Sequence, residues 1–233
     1  PDQKWVLVGN RKSGTVSVFA VANRQLHPVQ TLNMGADSNP ASVLFLPDGQ
    51  NAVVVLRGPH QLALLHKVGE GFEVQEQRLN LGHAPNTMDI TRSGLIAVGD
   101  QDPAHSAVHL ARLENGTLNL LGTIPVASGP EPLRFSPDGR YLAVGAVNNS
   151  NRDASRHGTL TLYRVDRSSL TPVASENVGR WPQGIMFSPD GRTLLVQNTT
   201  DKTMTVLKWD GIRLHPTGTL AMTSGPAAAA TSW

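Results

Sequence analysis

Eight histidines, twenty basic and eighteen acidic side chains make up this chain's stock of proton-transfer and charge-binding groups, because its 233 residues include no cysteine. Disulfide staples, thiolate zinc sites and a cysteine nucleophile are thereby excluded. His105 and His109, in "HSAVH", have the i, i+4 spacing of a helical metal pair. Their surroundings read as a strand, however, and four strand residues span about 13 Å, too far for one ion. Asp100 and Asp102, in "GDQDPAHS", lack the glycine and the distal glutamate of a twelve-residue calcium loop. No metal site and no cofactor are expected. The chain also carries no G-x-S-x-G elbow, no phosphate-binding glycine loop and no dinucleotide fingerprint.

The remaining candidates can bind charge or move protons. His83 and His157 are imidazoles of the kind that serve as a general base toward water, and Arg152, Arg156 or Arg180 supply cations for an anionic substrate. Residues 146–159, "AVNNSNRDASRHGT", crowd Asn148, Asn151, Arg152, Asp153, Arg156 and His157 into one polar stretch. Such an insertion is either a binding loop or a solvated excursion. Asn86, Glu131 and Gln183 each follow a proline at one repeated place. They read either as a joint site for a small polar ligand or cation, or as groups that bind channel water and cap strand ends. Arg180 and Trp181 add a cation and an aromatic platform, although packing between structural units would also use a tryptophan. Asp89 and Arg134, each four residues after such a proline, suit an interior ion pair with a structural role.

What must position these groups is a repeat. Pro1-Asp2, Pro47-Asp48-Gly49, Arg92-Ser93-Gly94, Pro137-Asp138-Gly139 and Pro189-Asp190-Gly191 mark the same turn at separations of 46, 45, 45 and 52 residues. Each complete unit reads as strand, tight turn, strand, polar loop, strand, short turn, strand, with no helical stretch between. Proline fixes the first corner of the turn and glycine accepts the positive φ at its end. Four short antiparallel strands per unit of about 45–52 residues predict an all-β propeller, one domain over residues 1–233, with five blades. The terminal "PAAAATSW" is expected to complete the blade that "KWVLVGN" begins, closing the ring without exposed edges. A fragment of a larger ring is the alternative.

The apolar fraction of 39% and charged fraction of 16% are those of a folded domain, and the low aromatic content of 5% assigns the core to Val, Leu, Ile and Ala. No run of eighteen apolar residues is present, so no membrane helix is expected. A formal charge of +2 calls for no nucleic-acid surface. Loops that join fourth to first strands share a face with those joining second to third strands, so polar side chains there converge on the mouth of the central channel. A small molecule or a protein is expected to bind at that mouth, with the chain a monomer.

The phrases "FSPDGRYLAV", "FSPDGRTLLV" and "GTVSVFAV" at this period resemble those of the lactonase-like β-propellers, also called the YVTN or 6-phosphogluconolactonase-like group. The resemblance runs the length of the chain. It implies a propeller, usually of seven blades, and a periplasmic or secreted location. Enzyme members share a phrase of the type G-P-R-H ahead of the first strand's Phe and a Glu closing the second strand. Here the matching stretches read Gly129-Pro130-Glu131-Pro132 and Gly145-Ala146-Val147-Asn148. None of those catalytic residues carries over, and Glu131 sets a negative charge where the phrase has Arg. The residues themselves point first to a rigid binding scaffold. The resemblance adds a hydrolase of a sugar lactone as the alternative, and a trimmed or engineered propeller without retained activity is a third reading.

Overall fold

The computed structural model describes residues 2–227, and every regular element among them is a β-strand. The strands form five antiparallel sheets in which neighbours in sequence are neighbours in space. Sheet one has β1 (Trp5–Asn10), β2 (Thr15–Ala22) and β3 (Gln25–Asn33). Sheet two has β4 (Pro40–Phe45), β5 (Asn51–Leu56), β6 (Gln61–Val68) and β7 (Gly71–Asn80), and sheet three β8 (Pro85–Ile90), β9 (Ile96–Asp100), β10 (Ala107–Glu114) and β11 (Thr117–Pro125). Sheet four has β12 (Pro130–Phe135), β13 (Tyr141–Ala146), β14 (Gly158–Asp166) and β15 (Ser169–Val178), and sheet five β16 (Pro182–Phe187), β17 (Thr193–Asn198), β18 (Thr203–Trp209) and β19 (Leu214–Ala221).

The repeated turn is architectural. Gly49, Gly139 and Gly191 donate their N–H to the carbonyls of Leu46, Ser136 and Ser188, and the aspartates before them accept from the backbone of Gln50, Arg140 and Arg192. An aspartate that captures the N–H two residues on locks the reversal. The Pro-Asp-Gly phrases therefore have their polar groups spent on the fold.

The sheets pack face to face in chain order, β1 on β4, β4 on β8, β8 on β12 and β12 on β16, with the outer strands β3, β7, β11, β15 and β19 following the same order. This is the radial arrangement of a propeller, with the first strand of each complete blade against the central axis. Between sheets the core is aliphatic: Val53, Val55, Leu62, Ile96 and Val98 join sheets two and three, and Leu160, Leu162, Ile185, Leu194 and Leu207 join sheets four and five. Each such side chain, fully buried, contributes about 1.5–3 kcal/mol.

Sheet one has three strands among the described residues, and no comparable packing joins sheet five back to sheet one. The closing strand expected from "PAAAATSW" falls mostly on residues 228–233, outside the described residues. The chain leaves sheet five across the mouth, where Thr199 Oγ1 donates to the Pro226 carbonyl at 2.6 Å.

Candidate functional site at the channel mouth

Two sets of repeat-related residues ring one end of the channel. The first follows the proline that opens each first strand, namely Ala41, Asn86, Glu131 and Gln183. The second follows the last residue of each second strand, namely Arg11, Arg57, Gln101, Val147 and Thr199. Antiparallel pairing of first and second strands brings the two sets to the same end. The channel between them encloses a cavity of about 490 Å³ lined by Arg11, Asn86, Arg134 and Gln183 among others. Arg11 also lines an adjoining hollow of about 660 Å³ together with Lys12, Asp37, Asn39 and Arg57.

Polar contacts stitch the ring. Arg11 Nη2 donates to Asn86 Oδ1 at 2.6 Å across the channel, and Arg57 Nη1 to Gln101 Oε1 at 3.2 Å. Glu131 accepts from Trp181 Nε1 at 2.8 Å on one oxygen and from Gln183 Nε2 at 2.9 Å on the other. The mouth is thus uneven, with three cations and one carboxylate, Asp37, on the side of sheets one and two, and Glu131 beside an indole on sheets four and five. Farther along the channel wall, Arg134 lies 3.4 Å from Asp89, which also accepts the Phe135 N–H at 2.6 Å. Burial pushes the Asp89 carboxyl above the ordinary carboxylate range, against the pull of Arg134 and that N–H. The interior ion pair read from the repeat is present.

Trp181 is held in an unusual backbone state, with φ of 56°. The residue before the proline is also left-handed at Asn39 and Gly129, the equivalent places in sheets two and four. Asn and Gly tolerate that region, whereas a bulky side chain pays for it, and the following proline narrows the choice further. Three contacts fix the tryptophan there: its N–H donates to Ser150 Oγ at 3.0 Å, its carbonyl accepts from Thr199 N at 3.0 Å, and its indole reaches Glu131. The ring is half-buried and belongs to none of the apolar clusters.

Of the residues singled out from sequence, the structure joins Glu131, Trp181 and Gln183 in one contact set and links Asn86 to the ring through Arg11. Arg180 sits beside them with its guanidinium 2.6 Å from Asp201, whose carboxyl is held low by the Arg180 N–H and side chain although burial opposes this. Asn148 braces the base of the long loop through Thr159 Oγ1 at 3.1 Å, and Arg156 pairs with Asp153 at 3.2 Å. Asn151 and Arg152 are exposed on that loop. His157 faces a groove between sheets four and five with Asn177, Asp201 and Thr219, and His83 stacks on His105 with ring centroids 4.1 Å apart. Among the described residues, no hydrogen bond, ion pair or ring contact joins His83, His157 and Arg152.

Sequence reasoning missed Arg11, Lys12, Arg57 and Ser150. The signal for the two arginines was available: each stands ten residues after the turn's Pro1 or Pro47, the kind of repeat register that located Asn86, Glu131 and Gln183. Among the described residues no group of three or more His, Asp or Glu side chains is placed to hold a metal ion, and no helix is long and apolar enough to cross a membrane.

Residues 127–230 match the family described as lactonase, 7-bladed beta-propeller. Over 93 residues the chain is 30% identical to antigen Lp49 of Leptospira interrogans, a match covering 38% of this chain and 20% of that protein. The chain thus spans one fifth of the length of the curated relative it matches. Among solved structures, a Bacteroides fragilis protein provisionally assigned as a 6-phosphogluconolactonase superposes with a TM-score of 0.82 at 16% identity, covering 98% of this chain and 70% of that one. A periplasmic gluconolactonase of Pseudomonas aeruginosa gives 0.78 at 20% identity, covering 97% and 69%. The resemblance to the lactonase-like β-propellers read from the repeated phrases is borne out, and at these identities the structural likeness establishes the fold.

Proposed function

We propose that the channel mouth binds an anionic, polyhydroxylated lactone and that the propeller to which it belongs hydrolyses the ring ester. The observation that carries this reading is the uneven mouth: Arg11, Lys12 and Arg57, in excess over Asp37, on one side, and on the other a carboxylate, Glu131, held by two neutral donors. Guanidinium groups suit a phosphate or carboxylate because their forked donors match its oxygens. Glu131 then accepts the proton of a water attacking the lactone carbonyl, the C–O bond of the ring opens, and the released alkoxide is protonated to give the hydroxy acid. The comparisons support this over the bare scaffold, which stood first on sequence alone. The test is a pH-stat assay on gluconolactone and a phosphorylated sugar lactone, with Glu131→Gln and Arg57→Ala beside the parent chain. Hydrolysis no faster than in buffer returns the mouth to a binding role, a reading favoured by Pro132 standing where the enzyme phrase has His and by the absence of a carboxylate from Gly145-Ala146-Val147-Asn148.

The same comparisons support placing the five sheets as an arc of a larger ring. A closed five-bladed ring turns about 72° per blade and a seven-bladed one about 51°, a difference that accumulates over four steps. Superposition over 98% of the chain on a protein of which it covers 70% fits five blades of seven. Small-angle scattering that fits a closed five-bladed ring better than an arc overturns this placement.

A further inference from the structure

The middle positions of the five sheets line up across the repeat. On the third and fourth strands the directly paired residues are Ser17 and Thr31, Ala63 and Arg78, His109 and Thr123, Thr161 and Ser175, and Thr205 and Thr219. The residue closing the second strand is Asn10, Leu56, Asp100, Ala146 or Asn198. In sheets one and five this makes a neutral ladder: Asn10 Nδ2 donates to Ser17 Oγ at 2.8 Å and Asn198 Nδ2 to Thr205 Oγ1 at 2.9 Å. Neutral amides and hydroxyls therefore suffice to hold this part of a blade.

Sheet three replaces both inner members with ionisable groups. Asp100 is 0% exposed and His109 3%. His109 Nε2 lies 3.4 Å from Asp100 Oδ2, and its Nδ1 lies 3.0 Å from Thr123 Oγ1. Three backbone donors, His83 N at 2.6 Å, Ala84 N at 2.8 Å and Asp102 N at 3.1 Å, also point at the carboxylate. Burial raises the Asp100 carboxyl, but these donors and His109 outweigh it and hold the group ionised, while burial pushes the His109 imidazole down and keeps it neutral against the pull of Asp100. A neutral imidazole facing a carboxylate carries its proton on that side. Nε2–H thus donates to Asp100, and Nδ1 presents its lone pair to the hydroxyl of Thr123. Gly82 crosses over the pair so closely that a Cβ there would sit 1.7 Å from Asp100 Oδ2 and 2.7 Å from His109 Nε2, so the loop seals the two inner groups from solvent. Thr123, on the outermost strand, is exposed.

We propose that Asp100, His109 and Thr123 form a carboxylate–imidazole–hydroxyl relay that makes Thr123, on the outermost strand of sheet three and not in the mouth ring, a nucleophile toward carboxylic esters. Thr123 Oγ bonds to the ester carbonyl carbon as its proton passes to His109 Nδ1. The C–O bond to the alcohol then breaks, and the departing alcohol takes that proton, leaving an acyl-threonine. Asp100 stays ionised throughout and orients the ring.

The chain is treated with p-nitrophenyl acetate, nitrophenolate release is followed, and the acetylated peptides are mapped by mass spectrometry. Acetyl on Thr123 is expected, lost in Thr123→Val. The deciding variant is the double substitution Asp100→Asn with His109→Thr, which rebuilds the ladder of sheet five and leaves the Thr123 hydroxyl in place. It is expected to stay folded with one cooperative thermal transition, at a midpoint lowered by the loss of the Asp100 carboxylate, while losing about a hundredfold in labelling rate, the scale of general-base assistance. An unlabelled Thr123 in the parent chain, or equal labelling in the ladder variant, overturns the proposal. Lactone turnover at the mouth does not enter either outcome.

Discussion

The strain at Trp181 gives a comparison of two tryptophans that share a fold and differ in what they do. Left-handed backbone at a non-glycine residue costs about 1–2 kcal/mol, and Asn, which occupies the equivalent place as Asn39, carries less of it. Trp181→Asn removes a half-buried ring worth about 1 kcal/mol, half the value of a fully buried large side chain. It also removes one hydrogen bond to a carboxylate, worth about 1.5 kcal/mol or somewhat more. Relief of strain offsets roughly half of that loss, for a net destabilisation of about 1 kcal/mol. Trp209, 7% exposed within the core between sheets four and five and edge-on to Tyr141 at 5.5 Å, has no such offset, and Trp209→Ala should cost about 3–5 kcal/mol. Urea titrations followed by far-ultraviolet circular dichroism measure both. A Trp181→Asn variant that keeps most of its stability yet loses ligand binding or lactone turnover marks a residue held under strain for the mouth. Equal losses at the two positions would refute the reasoning, because they would make Trp181 core packing.

Glu131→Gln should leave stability within about 1 kcal/mol, since a side-chain amide can still accept at one position, while lactone turnover falls by about a hundredfold or more. Arg57→Ala and Arg11→Ala should weaken an anionic ligand more than its neutral counterpart, with a difference that shrinks as salt is raised, as read by calorimetry at two ionic strengths. Asp100 carries an acid limb: its folded carboxyl is depressed below the unfolded value, so its stabilisation is present above about pH 4 and is lost as pH falls through the folded value. Urea midpoints from pH 6 to pH 2.5 should therefore fall less steeply in Asp100→Asn, and an unchanged slope would remove the carboxylate from that role.

The frame was legible because its signals are local. Proline, aspartate and glycine at a fixed place, or Arg92-Ser93-Gly94 in the third unit, followed by alternating apolar residues, write out a turn and a strand with no reference to distant contacts, and β5, β9, β13 and β17 fall where those phrases put them. The mouth was legible only in part, since its residues meet through the packing of successive sheets. Glu131 and Gln183 emerged from register alone, but the bonds of Glu131 to Gln183 and to Trp181 join positions about fifty residues apart. Arg11 was passed over because its partner Asn86 lies two sheets away. The long loop at residues 146–159 misdirects in the other direction, because charge density in a sequence window says nothing about where the side chains turn. Ser150, its least conspicuous polar member, reaches Trp181, while Arg156 closes on Asp153 within the loop.

A repeat supplies its own reference state, and that gives the function its sharpest constraint. Every blade builds the same sheet from the same geometry, so a residue that departs from its equivalents in the other blades is not required by the sheet. Cations after β1 and β5, a carboxylate after Pro130 and an indole before Pro182 are such departures, as are Asp100 and His109 where sheet five has Asn198 and Thr205. A symmetric binding partner would need equal contributions around the ring, whereas this mouth sets cations against a carboxylate and an aromatic ring across one channel. On the proposed lactone reading, the ligand places its negative charge at the cationic side and its hydroxyl or carbonyl groups at the other, and substitutions on the two sides should then separate affinity for the anion from the rate of ring opening.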